Sequence, residues 1–199
     1  VMRLRLDVEI NQSTPWLECR FVSFYDENGK VSGMRGVLRD ITQNYLHEKQ
    51  ITHMALHDAL TGLPNRRSLG DALTQSLAGA SKDRMLAVYL IDVDEFKPVN
   101  DTYGHEVGDE LLVEIARRLQ ANVRSGDIVA RLGGDEFVVL ANGLRSPDQA
   151  KDLGDQLLAL FDAPVKLSKN EVRIGLTIGY SMAPEDGTDT STILRLADS

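Results

Sequence analysis

The sequence predicts a mixed fold of the α+β or α/β kind, built around a central sheet and preceded by a small antiparallel sheet. Apolar residues alternate with charged residues over residues 2–10, which is the pattern of a strand with one buried face. From residue 58 onward, segments with helical periodicity alternate with strand-like segments, which is typical of helices packed on one sheet.

The first part of the chain is predicted to form three antiparallel strands. A turn-like stretch, residues 11–15, separates the first strand from a second over residues 16–25. Residues 26–30 then form a turn before a third strand over residues 31–39. Three strands bury too little apolar surface for an independent domain, so residues 1–42 are expected to belong to a larger one.

Helices and strands alternate in the rest of the chain. Residues 43–57 lack Gly and Pro and place apolar residues at helical spacing, which predicts a connecting helix. Residues 58–199 are assigned to one further domain. Its predicted elements are a helix over 67–77, a strand over 86–92, an amphipathic helix with Leu111, Leu112, Ile115 and Leu119 on one face, a hairpin at Gly133 and Gly134, a helix over 148–161 and a strand over 172–182.

The composition argues against several classes of protein. Because 22 Lys and Arg stand against 30 Asp and Glu, the net charge is -8, and neither nucleic acid nor a membrane surface is an expected partner. The single cysteine, Cys19, lies in an alternating strand pattern and is expected to be a buried structural thiol. No apolar run reaches the ~20 residues that span a bilayer, so a cytoplasmic location is expected, although a longer parent protein could be tethered to the inner membrane.

The most informative segment is the hairpin at residues 128–140. Two apolar stretches enclose Gly133 and Gly134, which tolerate positive φ, followed by the acids Asp135 and Glu136. Taken alone, the two acids could equally belong to a solvated turn.

A second acidic cluster changes that balance. The buried strand over residues 86–92 ends in Asp92, with Asp94 two residues later. Carboxylates at a strand end beside an acidic hairpin can create the all-oxygen site that Mg²⁺ prefers. Two such ions about 4 Å apart can activate a hydroxyl and stabilise charge on a phosphate. The pattern therefore indicates phosphoryl or nucleotidyl transfer.

Residues 131–137 read RLGGDEF and resemble the signature of the GGDEF family of diguanylate cyclases. Other segments agree with that family in order and spacing, so the resemblance covers about residues 55 to 199. These segments are DALTGLPNRR at 58–67, DVDEFK at 92–97 with NDTYGH at 100–105, GDE at 108–110 and GYSMAPEDG at 179–187.

The resemblance implies a cyclase-like palm with a ferredoxin-like βαββαβ core and a central antiparallel sheet. It also implies a Mg²⁺-dependent (or Mn²⁺-dependent) reaction in which a homodimer joins two GTP molecules into cyclic di-GMP and two pyrophosphates. Asp92, the backbone carbonyl of Val93, Asp135 and Glu136 would hold the metal ions. Asp135, Glu136 and Asp92 would be the catalytic residues, while Gly133 and Gly134 let the GTP phosphates approach the backbone.

Further substrate contacts follow from the same resemblance. Asn100 and Asp109 match the family's guanine-reading residues, and a carboxylate can accept both the N1–H and the amine of guanine. Helix capping is the alternative role for both residues. Lys97 is assigned to the substrate site but could be solvated, and Phe96 is assigned there but could pack in the core. Tyr103 and Phe137 are expected in the core, and His105 is expected to be structural.

Arg124 and Asp127 resemble the family's Arg-x-x-Asp inhibitory site, where an arginine and a carboxylate bind the product cyclic di-GMP. The alternative for this short motif is an exposed local ion pair. Its position just before the GGDEF signature favours product feedback inhibition.

The remaining expectations concern the two ends of the chain. Residues 1–42, which close in an Asp-Ile-Thr run, resemble the C-terminal part of a PAS sensor domain. Typical GGDEF domains continue past the end of this chain into a helix with basic residues, so the C-terminal end is expected to be truncated. Two other functions stay open: a regulatory module that binds GTP or cyclic di-GMP beside a fused EAL phosphodiesterase, and an inert dimerisation module.

Overall fold

The computed structural model describes residues 2–5 and 15–199. The backbone contacts divide the chain into two compact units, Val1–Ala55 and Leu56–Ser199. No helix in the described part of the chain combines the length and the apolar character that crossing a membrane requires.

The first unit contains a three-stranded antiparallel sheet with the order β1-β2-β3. Its strands are β1 (Met2–Arg5), β2 (Trp16–Tyr25) and β3 (Val31–Asp40). The strands predicted at 16–25 and 31–39 are confirmed, the latter one residue longer. Residues 6–14, which include most of the first predicted strand and its turn, lie outside the described residues.

The turn between β2 and β3 is held by one carboxylate. Asp26 Oδ1 accepts hydrogen bonds of 2.9 Å from the backbone N–H groups of Asn28 and Lys30. Gly29 adopts a φ of 74°, a conformation that favours glycine. The sheet buries Cys19, as expected, but leaves many apolar side chains exposed. They include Phe21, Val22, Phe24, Tyr25, Val31, Met34, Val37 and Leu38.

A helix, α1 (Thr42–Leu56), follows the small sheet and confirms the predicted connecting helix. Asp40 Oδ1 accepts from the backbone N–H of Thr42 at 2.9 Å, which satisfies a donor of the first turn. The Tyr45 ring stacks on Trp16 with centroids 4.0 Å apart. No residue of α1 is buried.

The second unit is built on a four-stranded antiparallel sheet with the order β5-β6-β4-β9. The central strand β4 pairs with both β6 and β9. Together with the intervening helices, this order is that of a ferredoxin-like βαββαβ core, so the predicted fold class is confirmed. The strands are β4 (Met85–Val93), β5 (Ile128–Gly133), β6 (Glu136–Leu144) and β9 (Leu176–Ala183), with a separate hairpin of β7 (Val165–Lys166) and β8 (Glu171–Val172).

The helices of this unit flank the sheet. They are α2 (Arg66–Ala78), α3 (Phe96–Tyr103), α4 (His105–Ala121), α5 (Pro147–Ala159) and α6 (Thr190–Ala197). Sequence periodicity misses α3, because its 8 residues are fewer than the roughly 10–12 over which a helical pattern is recognisable. Gly104 separates α3 from α4 with a φ of 87°, a conformation that favours glycine.

The prediction of one continuous strand over residues 172–182 is wrong. Val172 pairs with Val165 in the small hairpin, whereas Leu176 pairs with Val93 in the central sheet. The residues between them carry the chain from one sheet to the other. One apolar run therefore serves two different partners.

Both faces of β4 are buried, since helices cover the sheet on each side. On one face Tyr89 and its neighbours join a cluster with α4 and α5, and on the other Leu86 and Val88 join a cluster with α2 and α6. The predicted apolar face of α4 lies in the first cluster: Leu111, Leu112, Ile115 and Leu119. The Tyr89 hydroxyl donates to the Ala150 carbonyl at 2.7 Å and so ties α5 to the sheet.

Of the aromatic residues expected in the core, Phe137 is fully buried and Phe96 packs against the larger cluster. The expectation for Tyr103 is wrong, since its side chain is 45% exposed. Tyr103 ends α3, a short helix that buries only Val99. This short helix therefore leaves much of the Tyr103 side chain in contact with solvent.

Candidate active site

The acidic hairpin joins β5 to β6. Gly133 pairs with Glu136, so Gly134 and Asp135 form the turn between the strands. The φ angles of Gly133 and Gly134 are 138° and 56°. A side chain at either position would be strained, which explains why this sharp turn needs two successive glycines.

Sheet pairing brings the hairpin to the end of the central strand. Asp92, near the end of β4, lies opposite Glu136 on β6. Partial burial, and then the negative charges of neighbouring carboxylates, raise the pKa of Asp92 above its ordinary value. Those carboxylates belong to Asp135, Glu136 and Asp94. The two acidic clusters recognised in the sequence therefore form one patch of concentrated negative charge.

Asp94 is held differently from Asp92. The Thr177 hydroxyl donates to Asp94 Oδ1 at 2.7 Å, and the Asp94 backbone N–H donates to the Gly175 carbonyl at 3.1 Å. A Cβ on Gly175 would come within 2.5 Å of Asp94 Oδ2. Asp94 thus anchors the loop after β4 to β9. The next residue, Glu95, takes a left-handed φ of 56° as α3 begins.

Arg131 fixes the carbonyl side of the hairpin turn. Its Nε and Nη2 atoms donate to the Gly134 carbonyl at 3.1 and 2.7 Å, and Nη1 donates to Asp58 Oδ1 at 2.8 Å. Its backbone N–H donates to the Pro64 carbonyl at 3.0 Å. The side chain is only 9% exposed, so all of these contacts are shielded from water.

Asp58 organises the loop that receives Arg131. Asp58 Oδ1 accepts from both the backbone N–H and the hydroxyl of Thr61, at 2.9 and 2.7 Å. Partial burial acts to raise the pKa of Asp58, but hydrogen bonds from Thr61 and Arg131 outweigh it and hold the pKa below its ordinary value. Asp58 begins the sequence motif at residues 58–67, but the sequence alone assigned it no role. In the structure, Asp58 supports the hairpin turn through Arg131.

The two expected guanine-reading residues lie on adjacent helices, Asn100 in α3 and Asp109 in α4. A Cβ on the buried Gly108 would overlap the Asn100 side-chain oxygen and would come within 3.3 Å of the Phe96 ring. The capping alternative is wrong, because the residues flanking α3 and α4 are Glu95, Gly104 and Asn122. Gly108 is a residue that sequence reasoning missed: its absent side chain makes room for Asn100. Lys97, in the first turn of α3, is exposed.

Arg124 and Asp127 form a compact turn before β5. The Asp127 carboxylate accepts from the backbone N–H of Arg124 at 2.9 Å and from that of Asn142 at 3.0 Å. Between these two residues, both within the described part of the chain, there is no side-chain ion pair, so the alternative of a local salt bridge is wrong. A cavity of about 550 Å³ lies beside the turn, lined by both residues and by the facing side of α5.

The sequence model of the family described as "Diguanylate cyclase, GGDEF domain" matches residues 55–199. The chain belongs to this family. The GGDEF signature, the acidic patch and the ferredoxin-like core thus fall within one matched region.

Similar proteins include two from Pseudomonas aeruginosa. The bifunctional diguanylate cyclase/cyclic di-GMP phosphodiesterase MucR is 46% identical over 151 residues, which cover 75% of this chain and 22% of MucR. The diguanylate cyclase TpbB is 44% identical over 150 residues, covering 74% of this chain and 34% of TpbB. The chain therefore spans a fifth to a third of these relatives.

Solved structures of GGDEF domains agree with this fold. The GGDEF domain of TpbB from Pseudomonas aeruginosa has a TM-score of 0.69 at 43% identity, covering 71% of this chain and 84% of that one. A sensory box/GGDEF family protein from Caulobacter crescentus has a TM-score of 0.68 at 42% identity, covering 72% and 93%.

The acidic patch of this GGDEF domain has the donor chemistry for a divalent cation. Among residues 2–5 and 15–199, no group of three or more His, Cys, Asp and Glu side chains is arranged to hold a metal by itself. Mg²⁺ is commonly bound by one or two carboxylates together with substrate phosphates and water. A patch with Asp92 opposite Glu136 fits that mode, because a cation there would relieve the repulsion that adds to partial burial in raising the pKa of Asp92.

The support that Asp58 gives to the turn can be tested by Asp58→Asn. The variant removes the charge facing Arg131 and should lower the free energy of unfolding at neutral pH by about 1–3 kcal/mol. Folding lowers the pKa of Asp58. The stability that its ionised carboxylate contributes is therefore fully present above the ordinary aspartate pKa. That stability is lost as the pH falls through the lowered pKa of the folded state. The difference between wild type and variant should therefore shrink on acidification.

Urea unfolding of both proteins, measured from neutral pH to below the ordinary aspartate pKa, checks whether their difference in stability shrinks. Asp71→Asn, an exposed position in α2, is the matched control and should leave stability unchanged. Equal stability of wild type and Asp58→Asn at neutral pH, or a difference that grows in acid, would contradict the assigned role.

Proposed function

We propose that this chain is the catalytic domain of a diguanylate cyclase that condenses two GTP molecules into cyclic di-GMP and releases two pyrophosphates. The observation that carries the proposal is the patch formed by Asp92 and the hairpin acids Asp135 and Glu136. The diguanylate cyclases MucR and TpbB, at 46% and 44% identity, support it.

Asp92, Asp135, Glu136 and the backbone carbonyl of Val93 are the proposed metal ligands, with Mg²⁺ or Mn²⁺ as the ion. When bound, such ions lower the pKa of a nucleophilic hydroxyl and neutralise charge on the phosphates. The chain's own part is to hold the carboxylates in place. Gly133 and Gly134 carry no side chain, so phosphate oxygens can approach the backbone of the turn.

Asn100 and Asp109 are the proposed guanine-reading residues, with Phe96 and Lys97 at the same site. A carboxylate accepts the N1–H and the exocyclic amine of guanine, a pair of donors that adenine lacks. Asn100 lies directly against Gly108, next to Asp109 in the chain. Lys97 is exposed one residue after Phe96 and is available as a point charge for phosphate.

A homodimer is the proposed active form. Each domain offers one guanine pocket, whereas the product contains two nucleotides. Two domains that face each other would bring each 3′-hydroxyl to the α-phosphate of the other nucleotide, so orientation of the two copies would control the rate.

The carboxylates are tested by product formation from GTP and Mg²⁺ in the full-length protein. Asp135→Ala combined with Glu136→Ala should reduce cyclic di-GMP formation by at least about 100-fold, since both transition-state charge and metal binding depend on these groups. The matched control combines Asp71→Ala with Asp162→Ala, two exposed acids, and should keep wild-type activity. Product from the hairpin variant at the control rate would refute the assignment.

The guanine pocket is tested by Gly108→Ala. Its methyl group would displace Asn100 at a cost of about 1–3 kcal/mol, so affinity for a non-hydrolysable GTP analogue should fall about tenfold or more. Gly70→Ala, where a Cβ meets nothing within 4 Å, should leave affinity unchanged. Calorimetric titration with Mg²⁺ present measures both. Equal affinities would show that Asn100 does not contribute to binding.

Product feedback through Arg124 and Asp127 is also proposed. The exposed Arg124 guanidinium next to the 550 Å³ cavity supports a site for the phosphates of cyclic di-GMP. Arg124→Ala should weaken inhibition by added cyclic di-GMP about tenfold or more and should leave the initial rate unchanged. Arg145→Ala, another exposed arginine, is the control. Unaltered inhibition in Arg124→Ala would exclude this site.

The first unit is proposed to be the C-terminal part of a PAS-like sensor domain over residues 1–42, with residues 43–57 as the signalling helix and 58–199 as the cyclase domain. The exposed apolar residues of β2 and β3 support it, because a larger domain would cover them. A structure of the full-length protein in which these strands lack a further partner strand would argue against it.

A regulatory module beside an EAL phosphodiesterase is the second candidate. Relatives named cyclic di-GMP phosphodiesterases, PdeR of Escherichia coli and NbdA of Pseudomonas aeruginosa, are 34% and 32% identical to this chain. This candidate predicts that the full-length protein binds GTP without forming cyclic di-GMP, an outcome that the activity measurement above distinguishes from the cyclase.

A further inference from the structure

A basic cavity lies beside the hairpin turn. It measures about 480 Å³ and brings the start of α2 next to Gly133. Its lining residues are Asp58, Asn65, Arg66, Arg67, Arg131, Leu132 and Gly133. Three guanidinium groups thus stand against one carboxylate in a chain whose net charge is -8. The local excess of positive charge is opposite in sign to the protein as a whole.

The three arginines differ in how far their charges are already satisfied. Arg131 is buried and bonded to Asp58 and to the Gly134 carbonyl, so it is structural. Arg66 is 70% exposed, and its Nη2 lies 3.6 Å from Glu136 Oε2, a loose contact that solvent weakens. Arg67 is exposed, and within the described residues its guanidinium has no hydrogen bond or ion pair.

Two backbone N–H groups at the start of α2 are already hydrogen-bonded and are not available to an anion. Asn65 accepts the backbone N–H groups of Arg67 and Ser68 through its side chain, at 3.1 Å each. An anion in the cavity would therefore be bound by the guanidinium groups of Arg66 and Arg67. Guanidinium presents paired N–H donors that match two oxygens of a phosphate.

We propose that Arg66 and Arg67 form a phosphate subsite that binds the triphosphate of the GTP carried by the second copy of the domain. This inference rests on the proposed cyclase function. The hairpin turn lies between two kinds of charge: the carboxylates of Asp92, Asp135 and Glu136, and the guanidinium groups that line the cavity, of which Arg66 reaches to 3.6 Å from Glu136. The carboxylates can accept phosphate only through metal ions, whereas Arg66 and Arg67 accept it directly.

The chemistry of the reaction explains why a second phosphate site is needed at this turn. The bond from the 3′-oxygen to the α-phosphorus forms as the bond from that phosphorus to the β-phosphate oxygen breaks. The electron pair of the broken bond leaves with pyrophosphate, and the 3′-hydroxyl proton passes to a carboxylate of the acidic hairpin. Guanidinium groups close to the leaving pyrophosphate stabilise the charge that develops there.

Arg67→Ala tests the subsite, because Arg67 contacts none of the residues proposed to bind metal or guanine. In the full-length protein, turnover at saturating GTP should fall about 10- to 100-fold, and inhibition by added inorganic pyrophosphate should weaken by a similar factor. Affinity for a non-hydrolysable GTP analogue, measured at a protein concentration where the domain is monomeric, should stay within about twofold of wild type. Arg67→Lys should recover part of the turnover because it retains the charge.

Arg195→Ala, an exposed arginine on α6, is the control and should match wild type in each measurement. Wild-type turnover and pyrophosphate inhibition in Arg67→Ala would overturn the subsite. A fall in analogue affinity that parallels the fall in turnover would assign the arginines to the domain's own GTP and overturn the assignment to the second copy.

Failure of the cyclase proposal itself gives a different result, since the wild-type protein would then form no cyclic di-GMP. Calorimetric binding of inorganic pyrophosphate still tests the arginines in that case. Binding by wild type and Arg195→Ala but not by Arg67→Ala supports an anion site, and equal binding by all three rejects it.

Discussion

The buried guanidinium of Arg131 is the contact on which the geometry of the site depends. It joins the Gly134 carbonyl in the hairpin turn to Asp58, 73 residues earlier in the chain. A two-glycine turn is conformationally permissive, and glycine alone leaves it free to adopt several backbone states. Hydrogen bonds to its carbonyl select one of them. The position of Asp135 and Glu136 therefore depends on a buried residue outside the acidic patch.

The central strand supplies the second constraint. β4 is buried on both faces and pairs on both edges, so the direction of its end is set by the whole sheet. Asp92 lies at that end opposite Glu136, and the mutual repulsion of the carboxylates is sustained by the packing of the strands that carry them. An unfavourable concentration of negative charge is a common feature of sites that recruit a cation.

Much of the fold could be predicted from local patterns. The strand over residues 16–25 and the apolar face of α4 both appear in the structure as predicted, and the apolar face of α4 is buried in the core. Local patterns failed where the partner decides the outcome. Tyr103 is 45% exposed on a short helix that buries only Val99, and the apolar run at residues 172–182 is divided between two sheets.

The sequence by itself determined the family and the acidic character of the hairpin, because these depend on residue type and on spacing along the chain. Only the tertiary structure decided the contacts between distant segments: Asp58 with Arg131, Arg66 with Glu136, and Asn100 against Gly108. The physical reason is that a local pattern specifies which face of an element is buried. The residues that meet across that face are determined by how two elements pack together. The sequence pattern of one element alone does not specify them.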